Sequence, residues 1–160
     1  MIPKPLPFDE VVGALVGFAE AEYVRGNRIR VKTTVEHLRD VLGRAKAGLR
    51  CDHLIQIATV DRGTAFELVY HLTGEHRVVI SVVIGVAREP ARVPSVHDLF
   101  PPAAIYERQI HDLFGIVFEG HPNLARIILN EDWPEGEYPL RKDWKMDPAK
   151  AYGGPPPEVE

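Results

Sequence analysis

Between His53 and Val86 three alternating or β-branched runs follow one another with almost no chain between them. No other feature of the sequence constrains the fold as strongly. His53–Val60 alternates, Asp61-Arg62-Gly63 supplies turn chemistry, and Ala65–Leu72 alternates again. Thr73-Gly74-Glu75 then turns the chain into Arg77–Val86. Alternation sends successive side chains to opposite faces of a strand. Connections this short join antiparallel neighbours. The predicted unit is an antiparallel meander with one buried face.

The preceding segments supply the cover. Phe8–Tyr23 reads as an amphipathic helix, with Val11, Val12, Leu15, Val16 and Ala19 at helical spacing and Glu10, Glu20 and Glu22 outward. Asn27–Thr33 reads as a half-exposed strand, with Ile29 and Val31 on one face and Arg28, Arg30 and Lys32 on the other. Thr34 is the predicted N-cap of a second helix, whose stripe is Val35, Leu38, Val41, Leu42 and Ala45, with Gly48 near its end. Helix, strand, helix and three strands give an α+β fold, with helices packed on one face of a mainly antiparallel sheet.

Downstream, Arg88–Pro94 reads as a linker and Ser95 as the cap of a short turn through Leu99. Pro101-Pro102 opens a helix through Phe114, which Gly115 ends. Beyond Gly120 the pairs His121-Pro122, Trp133-Pro134, Tyr138-Pro139 and Asp147-Pro148 leave room for only one short element, Ala125–Leu129. The expected organisation is an α+β domain over residues 1–118, including the last helix, and an extended Pro-rich tail over 119–160. Its end, Gly153–Glu160, is expected to be mobile in the isolated chain. Trp133, Tyr138, Trp144 and Tyr152 stand in a tail with little means of building a core of its own. Such aromatics fold back onto the domain or lie on a partner. The expectation here is a partner.

The chemistry available is narrow. Cys51 is the one cysteine in 160 residues. Iron–sulfur clusters are held mainly by sets of four thiolates, and structural zinc by several Cys or His at fixed spacing. Cys51 reads as a packed small residue with no base nearby. None of the seven histidines pairs with another at i,i+4. His71 and His76 flank a turn, but no acid or thiol completes a metal set with them. His53 and His71 read as polar positions on alternating strands. No G-x-S-x-G elbow, P-loop or G-x-G-x-x-G is present. A free-standing hydrolase or metalloenzyme is therefore the least supported class. A net charge of -4 gives no drive toward nucleic acid or anionic lipid. The longest apolar run, Val78–Ala87, is broken by Ser81 and Gly85 and is too short to span a bilayer. Met1–Pro7 lacks the apolar core of a secretory signal. Any membrane link is expected to run through partner proteins.

Charge is densest downstream of Tyr106. On a helix Glu107 would face His111, and Arg108 would face Asp112, each at i,i+4. That describes a solvated face laced with ion pairs, each worth a few tenths of a kcal/mol. Arg141-Lys142-Asp143 beside aromatics and prolines reads either as a solvated charge run or as an interface anchor. Spacing leaves both readings open.

The series Glu107-Arg108-Gln109-Ile110-His111-Asp112-Leu113-Phe114-Gly115-Ile116-Val117-Phe118-Glu119-Gly120-His121-Pro122 resembles the signature of the NADH:quinone oxidoreductase C-subunit family. The likeness continues through Leu124, Arg126-Ile127-Ile128-Leu129 and Asp132-Trp133 to Pro139-Leu140-Arg141-Lys142-Asp143. That family includes a matching subunit of membrane-bound, energy-converting hydrogenases and formate hydrogenlyases. This chain has Gln109 where the family usually has a second acid, and His111 where it has an aromatic. Between Trp133 and Pro139 it reads Pro-Glu-Gly-Glu-Tyr, longer than the respiratory form and similar to the hydrogenase branch. It carries no long extension, so the separate subunit is expected rather than the form fused to the large subunit.

The resemblance implies a cofactor-free structural subunit of the hydrophilic arm, peripheral on the cytoplasmic side of the cell membrane. Its implied partners are the large quinone-site or hydrogenase-like subunit and neighbouring iron–sulfur subunits. These partners would carry the iron–sulfur clusters and the quinone or nickel–iron site, and membrane contact would come only through the complex. No catalytic, cofactor-binding or metal residue is expected in this chain. The residues matching the motif are Glu107, Arg108, Asp112, Gly115, His121, Pro122, Arg126, Pro139, Leu140, Arg141, Lys142 and Asp143. They are expected to shape the fold and the subunit interface, with Arg126, Arg141 and Lys142 pairing with the large subunit and Trp133 and Trp144 filling its grooves. The alternative of another class is a stand-alone small ligand-binding domain with the tail as a lid.

Overall fold

A computed structural model describes residues 6–150 and 152. Helix α1 (Phe8–Leu15) leads into a hairpin of β1 (Glu20–Arg25) and β2 (Arg28–Thr33), and α2 (Leu38–Ala47) follows. Strands β3 (His53–Asp61), β4 (Ala65–Thr73) and β5 (Val79–Ala87) form the expected meander. Then come β6 (Arg92–Pro94), α3 (Ala103–Phe114) and β7 (Val117–Glu119). The main sheet has the order β1-β2-β5-β4-β3. All its neighbours are antiparallel except β2 and β5, which run parallel with α2, β3 and β4 between them in the chain. β6 and β7 make a small parallel pair. The fold is α+β with a mainly antiparallel sheet.

Alternation decides the faces. Phe66, Leu68, Tyr70 and Leu72 of β4 are buried, as are Ile80, Val82, Ile84 and Val86 of β5 and Ile29 and Val31 of β2. The stripes Val11 and Leu15 of α1, and Leu38, Val41, Leu42 and Ala45 of α2, close over that face. α3 joins them with Ala103, Glu107, Ile110 and Phe114, and the Phe114 ring meets Phe66 edge-on at 6.0 Å.

Four local expectations need correction. The first helix stops at Leu15 rather than running to Tyr23. Gly17 lies at φ 83, a left-handed conformation that ends a helix without a Cβ penalty. Glu20–Arg25 is instead a strand, turned through Gly26-Asn27 into β2. Helix α2 begins at Leu38, not beside Thr34; a turn over Val35 and His37 intervenes, with the Leu38 amide bonded to the Val35 carbonyl. The linker over Arg88–Pro94 contains β6, and Ala125–Leu129 forms no regular element. The expectation for Gly153–Glu160 lies outside the described residues.

Candidate functional site

The motif begins on α3. Its buried stripe, Ala103–Glu107–Ile110–Phe114, places an acid among apolar positions, and Glu107 is fully buried. The Val96 amide donates to its Oε1 at 2.8 Å, and the Ser95 hydroxyl donates to its Oε2 at 2.5 Å. Burial raises the Glu107 pKa, although these donors and the nearby His121 and His97 oppose the shift. His121 Nε2 is 3.9 Å from the carboxylate. The Asn123 amide donates to His121 Nδ1 at 3.0 Å, so Nε2 carries the proton and faces the Ala104 carbonyl at 2.9 Å. The Tyr70 hydroxyl lies buried in the same core with no hydrogen-bond partner among the described residues.

Asp112 is the second buried acid of the helix. Its Oδ2 accepts the amides of Ile127, Ile128 and Leu129 at 3.1, 2.8 and 2.8 Å. Burial alone would raise this carboxyl, but the three amides and Arg126 hold it below its ordinary value. Arg108 donates to the carbonyls of Ala125 and Arg126, both at 2.9 Å. The two expected ion pairs along the helix are therefore replaced. Glu107 turns inward to the loop at Ser95, His111 Nδ1 faces the Ile116 carbonyl at 2.9 Å, and Arg108 and Asp112 hold backbone. The physical reason is that an extended segment without a strand partner needs donors and acceptors for its own peptide groups.

Gly115 ends α3 at φ 74, ψ 21, and its amide donates to the His111 carbonyl at 2.8 Å. A Cβ there would lie 2.4 Å from the Tyr138 ring. The tail thus passes directly over the helix C-terminus. Arg141 Nε donates to the Phe114 carbonyl at 2.7 Å, and its guanidinium stands 4.7 Å from the Tyr138 ring centre. The Leu140 amide donates to the Leu113 carbonyl at 3.2 Å.

Asp61, read from sequence as a turn residue, is a third buried acid. It accepts the amides of Gly63 at 2.7 Å and Lys142 at 2.8 Å, and pairs with Arg88 at 2.7 Å. Burial works against its charge, yet Arg88 and the two amides pull its pKa down to about 2. Arg88 also pairs with Asp143, and Arg141 with Glu89. Arg126 donates to the carbonyls of Asn130 at 3.1 Å and Trp133 at 2.6 Å. Trp133 stacks on Trp144 at 5.9 Å and meets Tyr152 at 4.8 Å. Glu137 joins them, accepting Trp133 Nε1 on its carbonyl at 2.9 Å and Trp144 Nε1 on its carboxylate at 2.5 Å. The guanidinium groups of Arg126 and Arg141, expected to reach a partner, are thus engaged within the chain. Pro122 is exposed, Pro139 half-buried, and the Leu140 side chain is turned outward.

A cavity of about 270 Å³ lies between α3 and the tail, lined by His111, Asp112, Arg126, Leu129, Glu137 and Tyr138. The Asp112 and Glu137 carboxylates are already committed to backbone amides, Trp144 and Lys150. Among the described residues no group of three His, Cys, Asp or Glu is placed to hold a metal ion. Cys51 is buried, and its thiol is pushed up to about 11 by burial and Asp52. What the arrangement does chemically is fix the path of a segment that lacks regular structure. Among the described residues no helix is long and apolar enough to cross a membrane.

Residues 26–150 match the family model described as "Respiratory-chain NADH dehydrogenase, 30 Kd subunit". The C subunit of the NADH-quinone oxidoreductase of Roseiflexus castenholzii is 45% identical over 58% of this chain and 52% of its own length. The chain thus spans about half of that relative. The C subunit of the F(420)H(2) dehydrogenase of Methanosarcina mazei is 34% identical, with 77% of this chain and 79% of the relative covered. Among solved structures, a chain of the membrane-bound sulfane sulfur reductase, an archaeal respiratory membrane complex, superposes with a TM-score of 0.76 at 31% identity, covering 86% of this chain and 83% of that one.

Proposed function

The chain belongs to the respiratory-chain NADH dehydrogenase 30 Kd subunit family, and from that premise we propose that it is a cofactor-free structural subunit in the hydrophilic arm of a membrane-bound NADH:quinone oxidoreductase-type complex. In this reading it supports the large quinone-site subunit on the cytoplasmic side of the membrane. Iron–sulfur clusters and quinone belong to its partners, and electron transfer coupled to ion translocation belongs to the whole assembly. The observation carrying the proposal is that five charged residues of the motif are spent on backbone. Glu107, Arg108, Asp112, Arg126 and Arg141 each hold backbone groups of the loops and tail.

Residues 119–160 act as the docking segment, with Gly115, His121, Pro122 and Pro139 steering it and Lys142, Asp143, Trp133 and Trp144 anchoring it. Ile128, Leu140 and Met146 are 50%, 52% and 64% exposed on a segment held by internal hydrogen bonds. Pre-organisation of this kind lowers the ordering cost of association. The stretch Pro134-Glu135-Gly136-Glu137-Tyr138, similar to the hydrogenase branch, supports a second reading, the equivalent subunit of a membrane-bound energy-converting hydrogenase or formate hydrogenlyase. Purification of the tagged chain from native membranes, with metal analysis of the co-eluting subunits, tests both. A large subunit with quinone reductase activity and no nickel supports the first reading, and a nickel-bearing large subunit the second. A chain that elutes alone and folded would overturn both and favour the stand-alone ligand-binding domain.

A further inference from the structure

Glu107 is fully buried, and among the described residues no Lys or Arg forms an ion pair with its carboxylate. Burying a charge without a counter-ion is costly, and taking up a proton removes that cost. Burial accordingly raises the Glu107 pKa. A glutamine at this position would satisfy the Val96 amide and the Ser95 hydroxyl while carrying no charge at all.

The surroundings provide one route by which a proton arrives. Ser95 has a single hydroxyl hydrogen, and it points to Glu107 Oε2 at 2.5 Å. The 2.9 Å contact between Ser95 Oγ and His97 Nδ1 therefore takes its hydrogen from His97. Half-buried His97, the Ser95 hydroxyl and the buried carboxylate thus form one hydrogen-bonded chain running inward. The other titratable or charged groups around Glu107 do not extend it. The His121 side chain is 1% exposed and stands 3.9 Å away, with its two nitrogens engaged by the Asn123 amide and the Ala104 carbonyl. Arg39 of α2 donates to the Ser95 carbonyl and pairs with Asp98 at 2.9 and 2.6 Å, so it acts on Glu107 only through its charge at a distance. Tyr70 of β4 is held protonated by burial and by the Glu107 charge.

We propose that Glu107 is a reversible proton-binding site, loaded and emptied through the His97 imidazole and the Ser95 hydroxyl. Loading begins when His97 takes a proton from water at Nε2. Its Nδ1 proton passes to Ser95 Oγ as the serine hydrogen passes to Glu107 Oε2. The carboxylate charge is cancelled, and the imidazole ends neutral, with Nε2 protonated and Nδ1 accepting from the serine. The new acid O–H donates to Ser95 Oγ, so each hydrogen bond of the chain survives with its direction reversed. Unloading runs the same steps backwards. The site lies wholly within this chain and needs no partner subunit.

Infrared spectroscopy of the full chain after a rapid pH jump reads the carbonyl stretch of the protonated acid, and Glu107→Gln identifies the band by removing it. Wild type is expected to develop this band on acidification before it unfolds. Ser95→Ala and His97→Gln are expected to develop it about tenfold or more slowly. Ser95→Thr keeps the hydroxyl and is expected to load at the wild-type rate. Thermal melting restricts the comparison to folded variants, and His97→Gln, at a half-buried position, carries it alone if Ser95→Ala does not fold. A purely structural Glu107 would shift the melts without separating these rates. A carboxylate that stays ionised until the fold is lost, or loading at the wild-type rate in either folded variant, would overturn the proposal while leaving the subunit assignment standing.

Discussion

Asp61→Asn removes one charge from a carboxylate that ties the β3–β4 turn, the end of β5 and the tail together through Gly63, Arg88 and Lys142. Holding that carboxyl at about 2, against an ordinary 3.8, corresponds to about 2.5 kcal/mol in favour of the charged folded form. Arg88 is 17% exposed and Asp143 is 70% exposed, so solvent screening reduces the expected cost of the substitution to about 1–2 kcal/mol. For a chain of this size that lowers Tm by about 3–6 °C. The folded pKa is depressed, so this stability is present above the unfolded carboxylate range and is lost as pH falls from 3.8 through about 2. Urea unfolding should show a lower midpoint for Asp61→Asn at neutral pH and a gap that closes in acid. The Lys142 amide should also lose hydrogen-exchange protection. An unchanged midpoint at neutral pH, or a gap just as wide in acid, would show that the Asp61 charge does not hold the turn and tail together.

Glu107 runs the opposite way. Its pKa is raised by burial, so its contribution is fully present below the unfolded carboxylate pKa and is lost as pH rises through the folded value. Glu107→Gln should stay within about 1 kcal/mol of wild type at neutral pH and flatten that slope in denaturant midpoints; a parallel pH curve would contradict this. Gly115→Ala places a side chain at φ 74, facing the Tyr138 ring, and should cost about 1–2 kcal/mol from backbone conformation alone. Trypsin should then cleave faster at Arg141 and Lys142, and wild-type cleavage with an unchanged melt would count against it. Cys51 is 1% exposed with its thiol pushed up to about 11, so a thiol reagent should label it only after denaturation. Prompt labelling of the folded chain would contradict that burial.

The meander was legible because period-two alternation and two short turns leave few other arrangements, and Phe66–Leu72 and Ile80–Val86 bury as alternation dictates. The Gly115 cap was equally plain, since Pro101-Pro102 and Gly115 bracket α3. β1 was not, because the helical spacing of Val11–Ala19 runs on into Glu20. β6 and β7 are three residues each, too short to carry a period. In the candidate site, spacing named Glu107, Arg108 and Asp112 but paired them wrongly. Glu107 lies on the stripe with Ala103, Ile110 and Phe114, and that position was the available sign of burial. Asp61, Arg88 and Ser95 had no such sign, since their partners lie 81, 55 and 12 residues away along the chain.

In the proposed role this chain acts by building the complex and not by reacting in it. Membranes from cells lacking the chain, complemented with wild type, Asp61→Asn, Gly115→Ala or Arg141→Ala, allow assembly and electron transfer to be measured side by side. Quantitative native gels give the amount of assembled complex, and donor oxidation gives the turnover. Activity per assembled complex is expected to stay constant across the series while the amount assembled falls with the stability of the variant. A complex assembled at wild-type amounts but inactive with any of these substitutions would contradict it.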